Sequence, residues 1–134
     1  LSEEAVSALA RAGEALGLAF QLIDDVLDLE ADSEELGKDL YVDLREGKLT
    51  WPLIIAAEMD HKVLSMARDF ASGNAGTNVQ PLLDRLRASG ALEKTREFAK
   101  RQGESAMAEL EILPSGQARR AIELVVEAAV QRRS

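Results

Sequence analysis

One run, Phe20 to Leu29, places three carboxylates and an amide inside an otherwise apolar helical pattern. Carboxylates flanked by packed side chains repel one another and are costly to desolvate unless cations neutralise them. The run therefore predicts a helix with one packed face and one face that binds a hard divalent cation, Mg²⁺ being the usual ion beside a phosphate. At about 100° per residue, the polar members share an arc of roughly 100°: Gln21, Asp24, Asp25 and Asp28. The members expected to face a core are Phe20, Ile23, Val26 and Leu27.

Gly17 lies one turn before this acidic face and on the same side of the helix. Glycine inside a helix costs up to about 1 kcal/mol relative to alanine, so its presence indicates close approach by a ligand or by another helix. The alternative for the whole motif is a solvated acidic face with a glycine that serves packing.

The segment after the acidic helix carries two Gly-Lys pairs, at 37–38 and 47–48, in what is expected to be a loop. A new helix is expected to begin near Thr50, because threonine is a common N-cap and the following Pro52 is tolerated in a first helical turn. Lysine is a compact cationic ligand for phosphate, although each lysine alone is compatible with a plain surface position. Carboxylates that hold a metal and lysines that reach the same anion together predict a diphosphate site.

This order of motifs resembles the second aspartate-rich region of the trans-isoprenyl diphosphate synthases, also called polyprenyl synthetases. The resemblance covers residues 13–58 and rests on FQ, DDxxD, GK and EGKxTxP in that order. Tyr41 stands where the family usually has a glycine. The resemblance continues more weakly to the C-terminus, where the tail is similar to that of the long-chain octaprenyl and solanesyl diphosphate synthases.

The resemblance implies an all-α fold, a helical bundle of the isoprenoid-synthase type, that acts as a homodimer in the full-length enzyme. It implies a prenyltransferase that condenses isopentenyl diphosphate with an allylic diphosphate by Mg²⁺-assisted ionisation and yields a longer trans-polyprenyl diphosphate. The catalytic residues would be Asp24, Lys38 and Lys48. The implied magnesium ligands are Asp24, Asp25, Asp28 and Asp43, and the implied substrate-binding residues are Phe20, Gln21, Lys38 and Lys48.

The length of 134 residues suits one domain but is shorter than the family requires. Nothing in the chain matches the first aspartate-rich motif of the family. We therefore expect residues 1–134 to be the C-terminal portion of a single helical domain, inactive in isolation, or else one half of a split enzyme.

Two other functions are compatible with the sequence. The first is a non-catalytic regulatory subunit of a heteromeric prenyl diphosphate synthase. The second is a helical interaction domain whose acidic stripe is simply solvated. The net charge of −8 argues against nucleic-acid binding, and the absence of cysteine excludes disulfides and thiolate metal sites. No stretch is expected to reach the roughly 20 apolar residues of a transmembrane helix, and a cytoplasmic location is the default.

The hydrophobic pattern predicts helices and no strand. A long first helix is expected at about 2–29, with Ser2 as its N-cap and only a short turn at 34–37 after it. His61 is expected to be a cap or surface residue. Arg132 and Arg133 are expected to form a solvated end, with a contact to diphosphate as the alternative. The remaining helices are expected near 50–59, 61–71, 79–88, 91–111 and 117–132.

Overall fold

The protein is described by a computed structural model that covers residues 1–31 and 33–132. This part of the chain is all-α and contains no strand, so the predicted fold class is confirmed. The predicted helix boundaries hold to within about two residues everywhere except in the second helix. The helices are α1 (Glu3–Glu30), α2 (Glu34–Arg45), α3 (Trp51–Met59), α4 (His61–Ser72), α5 (Gln80–Ala88), α6 (Ala91–Leu110) and α7 (Gln117–Gln131).

Local capping explains where several helices begin and end. The Ser2 hydroxyl accepts a hydrogen bond from the Ala5 amide at 3.1 Å, which confirms the predicted N-cap of α1. Asp60 caps α4 by accepting from the Lys62 amide at 3.0 Å, directly before His61 on the exposed first turn. Gly73, with φ of +78°, ends α4 in the left-handed conformation that glycine adopts at low cost.

The second helix is three turns long, so the prediction of a short turn at 34–37 was wrong. The Ser33 hydroxyl caps α2 by accepting from the Leu36 amide at 3.2 Å, and two glutamates occupy the first turn. One face of α2 is apolar and buried at Leu36, Leu40 and Leu44. This cap and the spacing of four residues between the leucines are helix signals that outweigh the glycine at position 37.

The chain divides into two compact units, Leu1–Asp24 with Arg96–Ser134, and Asp25–Thr95. In the first unit, the beginning of α1 packs with the end of α6 and with α7. This core uses many alanines, and Gly103 brings α6 close to α7, because a Cβ there would lie 2.6 Å from a methyl carbon of Val130. The buried members are Ala5, Ala12, Ala15, Ala106, Leu110, Leu113 and Val126.

The second unit is built from the end of α1, helices α2 to α5 and the beginning of α6. Here α4 packs against α2, α3 and α5 around larger side chains. The most deeply buried of these are Leu44, Leu53, Val63, Leu82 and Leu86. This core fixes α2 and α3 beside the end of α1, which is what places the acidic residues described below.

Helix α1 is also long and apolar enough to cross a membrane, by length and composition alone. It contains an 18-residue window of mean hydropathy 1.3, of which 33% is buried within the described chain. The expectation that no stretch would approach this length was therefore wrong, because only isolated charges interrupt the apolar run. The central helix of a larger helical fold passes the same test, so the observation does not establish a membrane span.

Candidate functional site

The three aspartates of α1 fall in the two different units. Asp24 belongs to the first unit, whereas Asp25 and Asp28 belong to the second. Each side chain has a distinct environment: Asp24 is half-buried, Asp25 is buried at 9% exposure, and Asp28 is exposed. The predicted acidic stripe is present on the helix, but its members do not share one setting.

Asp25 caps the helix that follows the second Gly-Lys pair. Its Oδ2 accepts a hydrogen bond from the Trp51 backbone amide at 3.3 Å, at the first residue of α3. Thr50 has the extended N-cap conformation expected of it, yet its own side chain makes no capping bond. A carboxylate at a helix N-terminus is stabilised by the free N–H groups and by the helix dipole. Asp25 therefore ties the acidic helix to the start of α3.

A cavity of about 500 Å³ opens beside Asp25 in the second unit. Among its described lining residues there are five carboxylates and no lysine, arginine or histidine. The Thr50 hydroxyl oxygen, on this lining, is buried and has no hydrogen-bond partner among the described residues. The lining is therefore a set of oxygen donors with an excess of negative charge. The polar members are Asp25, Asp28, Ser33, Glu35, Asp39, Asp43 and Thr50.

The structure thus gathers three of the four predicted metal ligands, Asp25, Asp28 and Asp43, around one cavity. Sequence reasoning missed Glu35 and Asp39, which join them because α2 is a helix and places 35, 39 and 43 on one face. The signal that could have revealed them is the Ser33 cap followed by acidic residues spaced four apart. Asp32 lies outside the described residues.

The two predicted lysines do not line this cavity. Lys38 lies on α2 outside the acidic face and lines a second cavity of about 490 Å³ with Tyr41, Thr77 and Asn78. Lys48 lies in the turn after α2 with its side chain 69% exposed, and its Nζ is 3.2 Å from Glu46 Oε2. The predicted loop with both Gly-Lys pairs was therefore wrong for Lys38, which α2 turns away from its acidic face.

In the first unit, Asp24 is paired with an arginine at the C-terminal end of α7. Arg132 Nη2 lies 3.0 Å from Asp24 Oδ1. The Arg132 guanidinium also lies over the Phe20 ring, 4.3 Å from its centroid. The prediction of a solvated end was therefore wrong for Arg132, whose side chain is 27% exposed. Arg133 lies outside the described residues.

Phe20 and Gln21 both lie on the exposed side of α1. Phe20 is 47% exposed, so the prediction that it packs into a core was wrong, while its use as a wall for substrate stays a prediction. At 100° per residue Phe20 borders the acidic stripe more closely than it borders the buried face, which explains its position. No atom lies within 4 Å of a Cβ added at Gly17, so nothing in the described chain packs on it.

The donor set of the acidic cavity fits Mg²⁺ in its chemistry. Carboxylate and hydroxyl oxygens are the ligands that this hard cation prefers. Within residues 1–31 and 33–132, no three acidic or histidine side chains converge closely enough to form a complete metal cage. A complete cage is not required, because Mg²⁺ usually keeps several waters and takes one or two carboxylates together with substrate phosphates. The cavity could therefore hold the ion through Asp28 and Asp43 with a phosphate ligand.

Comparison with known sequences gives a family match. The profile described as Polyprenyl synthetase matches residues 1–80 of the chain. Octaprenyl diphosphate synthase of Escherichia coli (strain K12) is 42% identical over 124 residues, which cover 90% of this chain and 38% of that protein. The chain therefore spans well under half the length of this curated relative.

Two solved structures share the fold at high similarity. The apo form of an Arabidopsis medium/long-chain length prenyl pyrophosphate synthase superposes with a TM-score of 0.81 at 29% identity, covering 100% of this chain and 46% of that one. A polyprenyl synthase from Caulobacter crescentus CB15, complexed with calcium and isoprenyl diphosphate, gives a TM-score of 0.79 at 32% identity. That match covers 100% of this chain and 42% of the other. With the profile match over more than half its residues, the chain belongs to the polyprenyl synthetase family.

Proposed function

We propose that this chain supplies the diphosphate-binding region of a trans-prenyltransferase that makes a long-chain polyprenyl diphosphate. The substrates would be isopentenyl diphosphate and an allylic diphosphate. The 42% identity to an octaprenyl diphosphate synthase supports the reaction class, and the isoprenyl diphosphate bound by the Caulobacter relative supports the substrate class. The observation that carries the proposal is the cavity whose described lining brings together five carboxylates and a buried hydroxyl and includes no lysine, arginine or histidine.

The reaction needs one bond to break and one to form. The allylic C–O bond breaks, and the diphosphate leaves with the electron pair. The double bond of isopentenyl diphosphate then supplies the electrons of the new C–C bond. Loss of a proton from the neighbouring carbon to a basic oxygen, such as one of the released diphosphate, restores an allylic double bond. The difficult step is therefore charge separation at the C–O bond, which needs electrostatic stabilisation of the leaving group.

Mg²⁺ bound at these carboxylates would supply Lewis-acid stabilisation of the departing diphosphate. The proposed ligands in the second unit are Asp25, Asp28 and Asp43. Asp24, in the first unit, is proposed as a metal ligand on the family resemblance alone. Asp25 has an additional task, because its bond to the Trp51 amide holds the start of α3 at the cavity.

Lys38 and Lys48 are proposed to bind the diphosphate oxygens. Both are exposed and long, so their ammonium groups can swing through several ångströms at small cost. Phe20 and Gln21 would contact the substrate from the exposed side of α1. These four roles rest on the family resemblance.

A non-catalytic regulatory subunit is not supported by the comparisons, since the relatives are named as synthases. A purely solvated acidic stripe would also leave the cavity lined by five carboxylates without a use. We also propose that the 134-residue chain alone binds metal and diphosphate without turnover, and that the full-length enzyme is a homodimer.

The test is a thermal titration of the chain with Mg²⁺ and inorganic pyrophosphate, separately and together. A ligand that binds only the folded state raises stability by about 2.7 kcal/mol at a hundred times its dissociation constant. We expect a rise in melting temperature with both ligands, lost in Asp28→Asn and Asp43→Asn. Glu58→Gln, an exposed acid on α3 away from the cavity, is the matched control. Equal shifts in all variants would contradict the proposal.

A further inference from the structure

Arg132 forms an ion pair with Asp24, the carboxylate that the proposed function assigns to a metal ion. We propose that Arg132 is an intramolecular cation that holds Asp24 in the metal-free protein and must be displaced when Mg²⁺ binds there. The inference rests on the proposed function, because it takes Asp24 as a metal ligand. The inference adds that Arg132, at the C-terminal end of α7, competes with the metal ion for the Asp24 carboxylate.

The first support is the set of contacts that Arg132 makes with α1. Its Nη2 lies 3.0 Å from Asp24 Oδ1, and the guanidinium lies 4.3 Å from the centre of the Phe20 ring. Phe20 and Asp24 are one helical turn apart, so one guanidinium spans both. A carboxylate and an aromatic face are each attractive sites for a cation, and Arg132 uses them at the same time.

The second support is that the end of α7 is held in place rather than left free. The Arg96 guanidinium, on α6, donates from Nη1 to the Arg132 carbonyl oxygen at 3.3 Å. Arg96 is itself buried, at 9% exposure. The backbone at position 132 is therefore fixed at α6 while its side chain reaches α1, so the contact with Asp24 is positioned by the first unit itself.

The third support is that the ion pair between Arg132 and Asp24 leaves one guanidinium nitrogen without a hydrogen bond and the carboxylate partly exposed, which makes the pair easier to displace. Arg132 Nε is buried and has no hydrogen-bond partner among the described residues. The Asp24 side chain is 47% exposed, so water and ions can reach its carboxylate without unfolding the unit. A single ion pair of this kind, with one guanidinium nitrogen unsatisfied, can exchange for a divalent cation.

The size of the effect follows from competition. In the closed form Arg132 is paired with Asp24, and in the open form it is not. One partly exposed ion pair and one cation–π contact together favour the closed form by a factor of about ten. The apparent dissociation constant of a ligand that needs the open form is the intrinsic constant divided by the open fraction. Removing the Arg132 charge should therefore tighten Mg²⁺ binding at Asp24 by about tenfold.

The experiment compares Arg132→Gln with Arg120→Gln in the 134-residue chain, by calorimetric titration of Mg²⁺ in the presence of inorganic pyrophosphate. Arg120 lies on the same helix and pairs with Glu127 at 3.6 Å, so its variant removes the same charge without touching Asp24. We expect about tenfold tighter binding for Arg132→Gln and little change for Arg120→Gln. Equal affinities in the two variants would overturn the inference.

A second measurement needs no substitution. Nuclear magnetic resonance of the arginine side-chain Nε and the aspartate carboxyl carbons in the wild-type chain should show Arg132 and Asp24 shifting together as Mg²⁺ is added with pyrophosphate. If the Asp28-dependent binding persists while the Arg132 signal stays fixed, this inference fails and the proposed function stands. If no variant binds Mg²⁺ and pyrophosphate at all, both fail.

Discussion

Substitutions at Asp25 test the hydrogen bond that connects α1 to the start of α3 in the second unit. Its carboxylate is 9% exposed and accepts a hydrogen bond from the Trp51 amide at 3.3 Å. Asp25→Ala removes this acceptor and leaves the first N–H of α3 without its side-chain cap, because Thr50 does not supply one. Asp25→Asn keeps an oxygen acceptor but removes the charge.

The magnitude can be worked from these two losses. A hydrogen bond to a charged group contributes about 1.5–3 kcal/mol. A negative charge at a helix N-terminus accounts for about 0.3–1 kcal/mol of that favourable energy at exposed sites, and more where it is partly buried. We therefore expect Asp25→Ala to lower the free energy of unfolding by about 2–3 kcal/mol and Asp25→Asn by about 1 kcal/mol.

Native-state hydrogen exchange of the Trp51 amide measures the contact directly. Local opening free energies set the exchange rate, so a loss of about 2 kcal/mol should speed exchange about thirtyfold in Asp25→Ala. Trp51 is the sole tryptophan, which lets fluorescence follow urea unfolding of the same region. Asp28→Ala is the control, because Asp28 is exposed on the same helix. Equal effects of Asp25→Ala and Asp28→Ala on this amide would refute the capping role.

Three further predictions concern elements around the site. Arg87→Ala should cost about 1–3 kcal/mol in urea unfolding, since Nε and Nη2 each donate to a carbonyl at the C-terminal end of α1 at 3.0 Å, and Arg87→Lys should restore part of it. The hydrogen bond from Arg85 lowers the pKa of Asp60. This pair therefore stabilises the fold at pH values above the ordinary aspartate pKa, and the stabilisation is lost as the pH falls through the lowered pKa. The urea unfolding midpoint of Asp60→Asn should lack this dependence on acid pH. Gly17→Ala should raise thermal stability by about 0.5–1 kcal/mol because its Cβ meets nothing, whereas Gly103→Ala should lower it because its Cβ would lie 2.6 Å from a methyl carbon of α7.

Much of the fold followed from local sequence signals. The start of α1 at Ser2 and the start of α3 beside Pro52 each depend on a cap or a backbone preference within a few residues. Periodicity found the acidic face of α1 for the same reason. These features are encoded within one helical turn, so they can be predicted without knowledge of the rest of the chain.

The second helix shows where local reading failed. Gly37 and the acidic run before it resemble a loop, but the Ser33 cap and the buried leucines make α2 a helix. This one error misplaced Lys38, because a loop could turn it toward the carboxylates whereas the helix places it at a second cavity. It also hid Glu35 and Asp39 as members of the acidic cavity.

Contacts between distant residues could not be predicted at all. Asp24 and Arg132 are 108 positions apart, and their pairing depends on where α7 ends and on how the first unit packs. The Trp51 amide likewise donates to the carboxylate of Asp25, a residue 26 positions earlier, rather than to the side chain of its neighbour Thr50. Such pairings are set by tertiary packing, which a single sequence does not display.

The charges on α1 show why a carboxylate stripe alone does not establish a metal site. The sequence argument held that three adjacent acids require external cations, yet the protein balances two of them itself. Arg132 neutralises Asp24, and the N-terminus of α3 stabilises Asp25. The stronger electrostatic reason for a cation lies in the second unit, where Asp28, Asp39 and Asp43 line one cavity with no basic side chain among its described residues. If a metal binds there first, Asp24 becomes available to a metal only after Arg132 has moved, so metal binding to these two sets of carboxylates should occur in separable steps.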